Sequence, residues 1–107
     1  MKEKILCAAI WYMDFPSAKI QPINIQNGVV LCGHRHAHII HQLVALTGKR
    51  AVETEVGKYT QGFLTNTNRF VDRKEGWKIA LEAGQIINLE KFISDKEDQP
   101  LFSEDLY

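Results

Sequence analysis

The sequence predicts a single α+β domain, built on a mainly antiparallel sheet with two principal helices. Residues 5–12 form an uncharged apolar run with the length of a central strand that is covered on both faces. Residues 34–47 place apolar side chains three and four positions apart, which is the period of an amphipathic helix. A second helical pattern at about residues 73–83 follows a strand pattern at residues 62–65. A chain of 107 residues is long enough for one domain, residues 1–107, and too short for two.

The remaining strand signals lie in the first half of the chain. Asn27-Gly28 is a hairpin signal, and residues 29–32 after it are predicted to form a strand. Residues 19–25 alternate weakly and contain Pro22, so they are expected to form an edge strand at most. Residues 52–56 alternate between Val or Thr and Glu, which allows an exposed strand.

Both helices carry recognisable end signals. Asp72 is a good N-cap for the second helix, and Glu75 three residues later completes an acidic version of the capping box. Gly48 and Gly84 are expected to end the first and second helices, because glycine adopts the left-handed conformation at helix C-termini.

The C-terminal part of the chain gives weaker signals. Residues 86–93 fit either an extension of the second helix or a separate short element, and residues 94–100 read as a polar loop. Residues 101–107 are unusually apolar for a terminus, so we expect this tail to pack on its own sheet or on a second copy of the chain. In an extended conformation, Leu101, Ser103 and Asp105 would share one face.

Composition excludes several classes of function. Thirteen basic and 13 acidic residues give a formal net charge of zero, and there is no long basic run. Duplex nucleic acid requires a footprint of many phosphate contacts, so an anionic ligand is expected to be small. We predict no signal peptide and no transmembrane segment, which makes the cytoplasm the expected compartment. The two cysteines, Cys7 and Cys32, lie in apolar strand-like runs and form no disulfide framework.

The start of the second helix is the strongest candidate for a binding site. Arg69 and Arg73 flank a helix N-terminus, whose free N–H groups and partial positive charge favour anions. We therefore interpret these arginines as phosphate clamps and Phe63 or Phe70 as a stacking face. The alternative is that Phe70 and Val71 belong to the core and that Arg73 and Glu75 lie on a solvated first turn.

The junction between the 29–32 strand and the first helix can contribute to the same site. Arg35 and His36 lie there, and we expect them to join Arg69 and Arg73 around an anion. All of the histidines fall close together, at His34, His36, His38 and His41. Three of them share one helix face, which leaves open a zinc site or a polar face that titrates near neutral pH. We predict no metal site, because no paired Cys, Asp or Glu lies in helical register with them.

Groups for catalysis are scarce. Cys32 lies close to His34, but nothing in the sequence orients this histidine, and Cys32 is expected to end a buried strand. There is no serine elbow, no carboxylate pair and no glycine-rich phosphate loop. The sequence therefore favours a binding protein over an enzyme, without a cofactor.

Several motifs together resemble a known family. They are Gly33-x-Arg35-His36, the stretch from Gly62-Phe63-Leu64-Thr65 through Arg69-Phe70-Val71-Asp72-Arg73-x-Glu75, the pairs Ile79-Ala80 and Gly84-Gln85, and Ser103-Glu104-Asp105-Leu106-Tyr107. Over residues 5–107 the chain resembles the first-described family of Thoeris anti-defence sponge proteins, which are small phage-borne proteins. They sequester cyclic ADP-ribose isomers made by defence TIR enzymes, and members also bind cyclic oligonucleotides.

This resemblance implies a sponge that does not hydrolyse its ligand, acts in the host cytoplasm and assembles as dimers or higher homo-oligomers with sites between protomers. It implies that arginines contact phosphate, a ring contacts adenine, and Asp72 contacts a ribose hydroxyl or an arginine. Gly76 stands where the family pattern leads us to expect Ala, a departure that should only affect packing. His38 stands where we expect an acid, which puts any role of its helix turn in doubt. The complete predicted ligand-binding set is Arg35, His36, Phe63, Thr65, Asn68, Arg69, Phe70, Asp72 and Arg73.

Two other functions remain open from the sequence. The first is a small nucleotide or cyclic-nucleotide hydrolase that uses a histidine of the 34–41 cluster. The second is a partner-binding module without a small ligand. Duplex nucleic acid and membranes are not expected as partners.

Overall fold

An antiparallel sheet of four strands, in the order β2-β1-β3-β4, forms the centre of the molecule. The computed structural model describes residues 2–50, 52–87 and 100–107. The strands are β1 (Ile5–Tyr12), β2 (Val29–Gly33), β3 (Tyr59–Thr65) and β4 (Phe70–Asp72). The predicted α+β class is thereby confirmed, and the apolar run at the N-terminus is an interior strand, as expected.

Three α-helices and one short 3-10 helix complete the described chain: α1 (His36–Thr47), α2 (Glu53–Val56), α3 (Arg73–Glu82) and the 3-10 helix Ser103–Asp105. The predicted Asp72 N-cap of α3 and the predicted glycine end of α1 are confirmed, whereas the Glu75 carboxylate, expected to complete a capping box, contacts Arg69 at 3.0 Å. The Asp72 carboxylate accepts a hydrogen bond of 2.8 Å from the Glu75 N–H at the start of α3. Gly48 ends α1 with a left-handed φ of 72°. Helix α1 begins two residues later than predicted, because Arg35 keeps an extended backbone as its N-cap.

Residues 19–25 do not form the predicted edge strand. This segment crosses the outer face of the sheet, where Ile25 packs against Ala9 and Phe70. The Asn24 side chain pairs with the backbone of β4, donating to the Phe70 carbonyl at 2.6 Å and accepting from the Phe70 N–H at 2.9 Å. The side-chain amide of Asn24 thus forms the two hydrogen bonds with Phe70 that the backbone of a neighbouring strand would otherwise form.

Two further predictions differ from the structure or lie outside it. Residues 53–56 form the short helix α2 instead of an exposed strand. Only Val56 of this helix is buried, whereas Val52 is exposed, so the alternation of the sequence does not correspond to two faces of a sheet. The ambiguous element at 86–93 and the polar loop at 94–100 fall mostly in residues 88–99, which lie outside the described residues.

The main core lies between the sheet and the two long helices. Its largest fully buried side chains include Trp77 of α3, Ile39 of α1 and Phe63 of β3. Leu101 of the tail is also fully buried in this core, so the predicted packing of the tail on its own domain is confirmed. The tail forms a 3-10 helix and not a strand, yet Leu101 and Ser103 are buried while Phe102 is exposed. In the described ranges, no helix has the length and apolar character needed to cross a bilayer.

Gly62 permits the close approach of β4 and gives a test of the sheet. A Cβ added there would collide with the Val71 carbonyl oxygen and lie 2.9 Å from the Phe70 ring. We expect Gly62→Ala to lower the free energy of unfolding by about 3 kcal/mol or more in urea denaturation. Gly48→Ala is the control, because it is strained by its positive φ but faces open space, and it should cost about 1 kcal/mol. Equal losses in the two variants would contradict this account of the β3–β4 contact.

Candidate functional site

Arg73, the first residue of α3, holds the tail against the sheet. Its Nη1 donates to the Leu101 carbonyl at 2.7 Å, and its Nη2 donates to Gln61 of β3 at 2.5 Å. Its guanidinium lies 4.5 Å from the centre of the Phe102 ring. Burial lowers the pKa of Arg73 while the carboxylates of Glu104 and Asp105 oppose this effect, and the group stays cationic near pH 7.

Arg35 faces the same tail from the start of α1. Its guanidinium lies 4.9 Å from the centre of the Tyr107 ring, and Nη2 donates to the Tyr107 carbonyl. Nη1 is buried without a hydrogen-bond partner among the described residues, with the Glu104 carboxylate 3.6 Å away. Among the described residues no side chain caps α1, and the His38 N–H donates to the Arg35 carbonyl at 3.1 Å, so it is the N–H groups of His36 and Ala37 that have no partner within the helix.

His36 is buried between α1 and β3. Its Nε2 lies 2.8 Å from the Gly62 carbonyl oxygen, so Nε2 carries the proton and donates it. The ring meets Phe63 edge to face at a centroid distance of 5.1 Å. Burial is the main effect on His36 and lowers its pKa, which keeps the ring neutral at pH 7. His36 therefore positions the start of α1 and adds no charge to the site.

The tail supplies aromatic and acidic groups that sequence analysis did not assign to a site. The Tyr107 ring stacks on His34 at a centroid distance of 4.4 Å, and its hydroxyl donates to the His34 carbonyl at 2.6 Å. Phe102 and Glu104 stand beside the two arginines. The signals in the sequence were the unusual apolar character of the tail and the motif at residues 103–107 in the family resemblance. We call Arg35, His36, Arg73 and residues 101–107 together the tail cluster.

Arg69 belongs to a different group of residues, at the other end of β3. Its Nε and Nη2 donate to the two carboxylate oxygens of Glu3 at 2.9 and 2.8 Å, and Nη2 also lies 3.0 Å from Glu75. The hydroxyls of Thr65 and Thr67 donate to Glu3 at 2.8 and 2.6 Å. The charge of Arg69 is thus matched within the chain. We call these five residues the Glu3 network.

The other predicted site residues have structural positions in the described chain. Phe63 is fully buried in the main core, and Phe70 packs on the outer face of the sheet, edge-on to Trp11 at 6.1 Å. Asn68 has a left-handed φ of 62° in the turn between β3 and β4. Asp72 caps α3. Of the predicted set, the structure brings together Arg35, His36 and Arg73, and it places Thr65 and Arg69 in the Glu3 network.

The two cysteines lie close together on the outer face of the sheet. Cys32 pairs with Ala9, which places it near Cys7 on the same face. Contrary to the expectation of a buried strand end, Cys32 is exposed, because β2 is an edge strand. A hydrogen bond from the Cys32 thiol lowers the pKa of Cys7 from 9.0 to about 7. Within the described residues, no three His, Cys, Asp or Glu side chains form a group that could hold a metal ion.

The fold and the tail cluster define a small α+β domain that presents two arginines among aromatic rings. The model of one protein family, described as phage T4 y16D protein, matches residues 4–107. The chain therefore belongs to the phage T4 y16D protein family. No curated protein and no solved structure matches it.

The Glu3 network predicts sensitivity to acid. The Arg69 hydrogen bond, with smaller contributions from Thr67 and Thr65, lowers the pKa of Glu3 from 4.5 to about 2. Because the folded state has the lower pKa, ionised Glu3 stabilises the fold above pH 4.5, and this contribution is lost as pH falls towards 2. Glu3→Gln should lower the free energy of unfolding at pH 7 by about 1–2 kcal/mol and reduce its slope between these pH values. Glu82→Gln, at an exposed residue, is the control. If the free energy of unfolding of Glu3→Gln falls with pH as steeply as that of the wild type, the network does not stabilise ionised Glu3.

The cysteine pair predicts a reactive thiol. Thiolates are the nucleophiles, so site-resolved alkylation by iodoacetamide should show a midpoint for Cys7 near pH 7. In Cys32→Ala the donor to the thiolate is lost, and the midpoint should move towards 9.0. A midpoint that does not change in Cys32→Ala would show that Cys32 does not stabilise the Cys7 thiolate.

Proposed function

We propose that this protein is a non-catalytic sponge. It binds cyclic nucleotide second messengers, such as cyclic ADP-ribose isomers and also cyclic oligonucleotides, and thereby blocks bacterial anti-phage defence in the host cytoplasm. Membership of a phage protein family and the motif resemblance support this proposal. The observation that carries it is the tail cluster, where Arg35 lies against the Tyr107 ring and Arg73 against the Phe102 ring of the same short tail.

Phosphate binding is the chemistry that this cluster fits best. Nη1 of Arg35 has no hydrogen-bond partner among the described residues, and Arg35 is the N-cap of α1, whose first two N–H groups have no partner within the helix. Guanidinium groups and helix N-termini are both favourable partners of phosphate oxygens. Arg73, held in place by Gln61 and Leu101, supplies the second positive charge.

Base stacking is proposed to come from the tail. Phe63 and Phe70 are packed inside the described chain, whereas Phe102 and Tyr107 are 47% and 37% exposed. Both tail rings already lie against a guanidinium, which is a suitable neighbour for a nucleobase that stacks beside it. Phe102 and Tyr107 therefore replace Phe63 and Phe70 as stacking faces in the proposal.

The energy of such a site favours a shared ligand pocket. A charged hydrogen bond contributes about 1.5–3 kcal/mol and stacking on a base about 1–3 kcal/mol. Two arginines and one ring therefore supply roughly 4–9 kcal/mol before the cost of association, whereas nanomolar affinity needs about −12 kcal/mol. A second protomer that closes over the ligand would supply the remainder, so the sponge is proposed to act as a homo-oligomer.

Binding without reaction is consistent with the titratable groups of the cluster. His36 is neutral, and its Nε2 proton is engaged by the Gly62 carbonyl. A hydrogen bond from Ser103 and the nearby Arg35 guanidinium lower the pKa of Glu104, which keeps this carboxyl ionised and unsuited to act as an acid at pH 7. These features favour recognition of a ligand over its hydrolysis.

The proposal is tested by a thermal-shift screen with cyclic ADP-ribose isomers and cyclic di- and trinucleotides. A ligand at 100 times its dissociation constant adds about 2.7 kcal/mol, which is several degrees for a domain of this size. Arg73→Lys should lose most of the shift, because a single ammonium cannot reproduce the paired donors of a guanidinium. Arg50→Ala, at an arginine that pairs with Glu55 on α2, is the control and should keep it.

The variant Arg69→Gln tests whether ligand binding depends on the tail cluster and not on the Glu3 network. It should lower the melting temperature because it breaks the Glu3 network, yet preserve the ligand-induced shift. Chromatography of the ligand after denaturation of the protein should recover it intact. A chemically altered ligand would instead support a hydrolase, and the absence of any shift would support a partner-binding module.

A further inference from the structure

The tail places the Glu104 carboxylate beside Arg35, where the proposed function puts a ligand phosphate. The Glu104 carboxylate stands 3.6 Å from Nη1 of Arg35, the nitrogen that has no hydrogen-bond partner in the part of the chain that the structure describes. Ser103, which is buried, donates to the same carboxylate oxygen at 2.7 Å and so directs it towards Arg35. The Glu104 side chain itself is 72% exposed, so it is free to move away.

The surrounding contacts keep Glu104 near Arg35 without fixing it there. Leu101 and Ser103 are buried and hold the short 3-10 helix in place. The Asp105 carboxylate is engaged by the Phe102 N–H at 3.1 Å, so it does not compete for the guanidinium. A separation of 3.6 Å at an exposed side chain is a weak ion pair. Glu104 is therefore a tethered anion that is held loosely.

We propose that Glu104 is an internal competitor that a ligand phosphate displaces from Arg35, and that it selects ligands with two linked phosphate groups over ligands with one. This inference rests on the proposed function and concerns the same site. A ligand with a single phosphate group only exchanges one anion at Arg35 for another, and the tethered carboxylate has the advantage of a high effective concentration. A ligand that reaches both Arg35 and Arg73 gains a second charged contact that Glu104 does not make. The site thereby favours a pyrophosphate group over a single phosphate.

Titration calorimetry with inorganic pyrophosphate and orthophosphate tests this inference. Glu104→Gln keeps the size of the side chain and removes the charge, so pyrophosphate should bind about 3- to 10-fold more tightly than to the wild type. The affinity for orthophosphate should rise by a larger factor, which reduces the preference for pyrophosphate. Glu53→Gln on α2 makes the same charge change away from the cluster and should bind like the wild type.

The outcomes separate this inference from the function that it deepens. If the wild type binds pyrophosphate and both Glu104→Gln and Glu104→Ala bind it equally or more weakly, the competitor role is overturned while the binding site stands. If neither the wild type nor any variant binds pyrophosphate or a cyclic nucleotide, both the inference and the proposed function are overturned. Thermal melts of the variants without ligand establish that each one is folded.

Discussion

The half-buried guanidinium of Arg73 joins three parts of this molecule. The guanidinium donates to the side chain of Gln61 on β3 and to the carbonyl of Leu101 in the tail. The backbone carbonyl of Arg73 in turn accepts a hydrogen bond of 2.8 Å from the Leu101 N–H. A cation removed from water in this way must keep its partners, because an unpaired one is costly. The position of the tail and the position of the charge are therefore determined by the same contacts.

A second buried polar group acts in a similar way on the neighbouring helix. His36 binds the Gly62 carbonyl, and Gly62 is also the residue whose missing side chain lets β4 approach. The starts of α1 and α3 therefore both meet β3 at one place. This convergence brings Arg35 and Arg73 to opposite parts of residues 101–107 and makes a cluster from residues that are distant in the sequence.

Elements that depend on local patterns could be predicted from the sequence. Strand β1 follows from an uncharged apolar run, and α3 from Asp72, Glu75 and the helical period. Long-range pairing could not be predicted in this way. Arg69 lies 66 positions from Glu3, and no local pattern indicates that its charge is matched there.

In the candidate site, too, the features set by local sequence patterns could be predicted and the long-range contacts could not. Arg35, His36 and Arg73 were predicted as neighbours because each lies at a helix start, and the structure brings them together. Phe63 and Phe70 were assigned to stacking from their positions beside arginines, but burial of apolar surface against Gly76 and Ile25 holds them inside. Tyr107 contacts residues 72 and 73 positions away, which neither periodicity nor spacing reveals.

The most direct test of the central claim is an amide NMR titration of the protein with a cyclic ADP-ribose isomer. We expect the largest shift changes at His36 and Ala37 and in residues 101–107, where the two arginines face the tail. Amides of Asn66 and Asn68, beside the Glu3 network, should change little. Changes confined to that turn, or no changes at any ligand concentration, would contradict a phosphate site at the tail cluster.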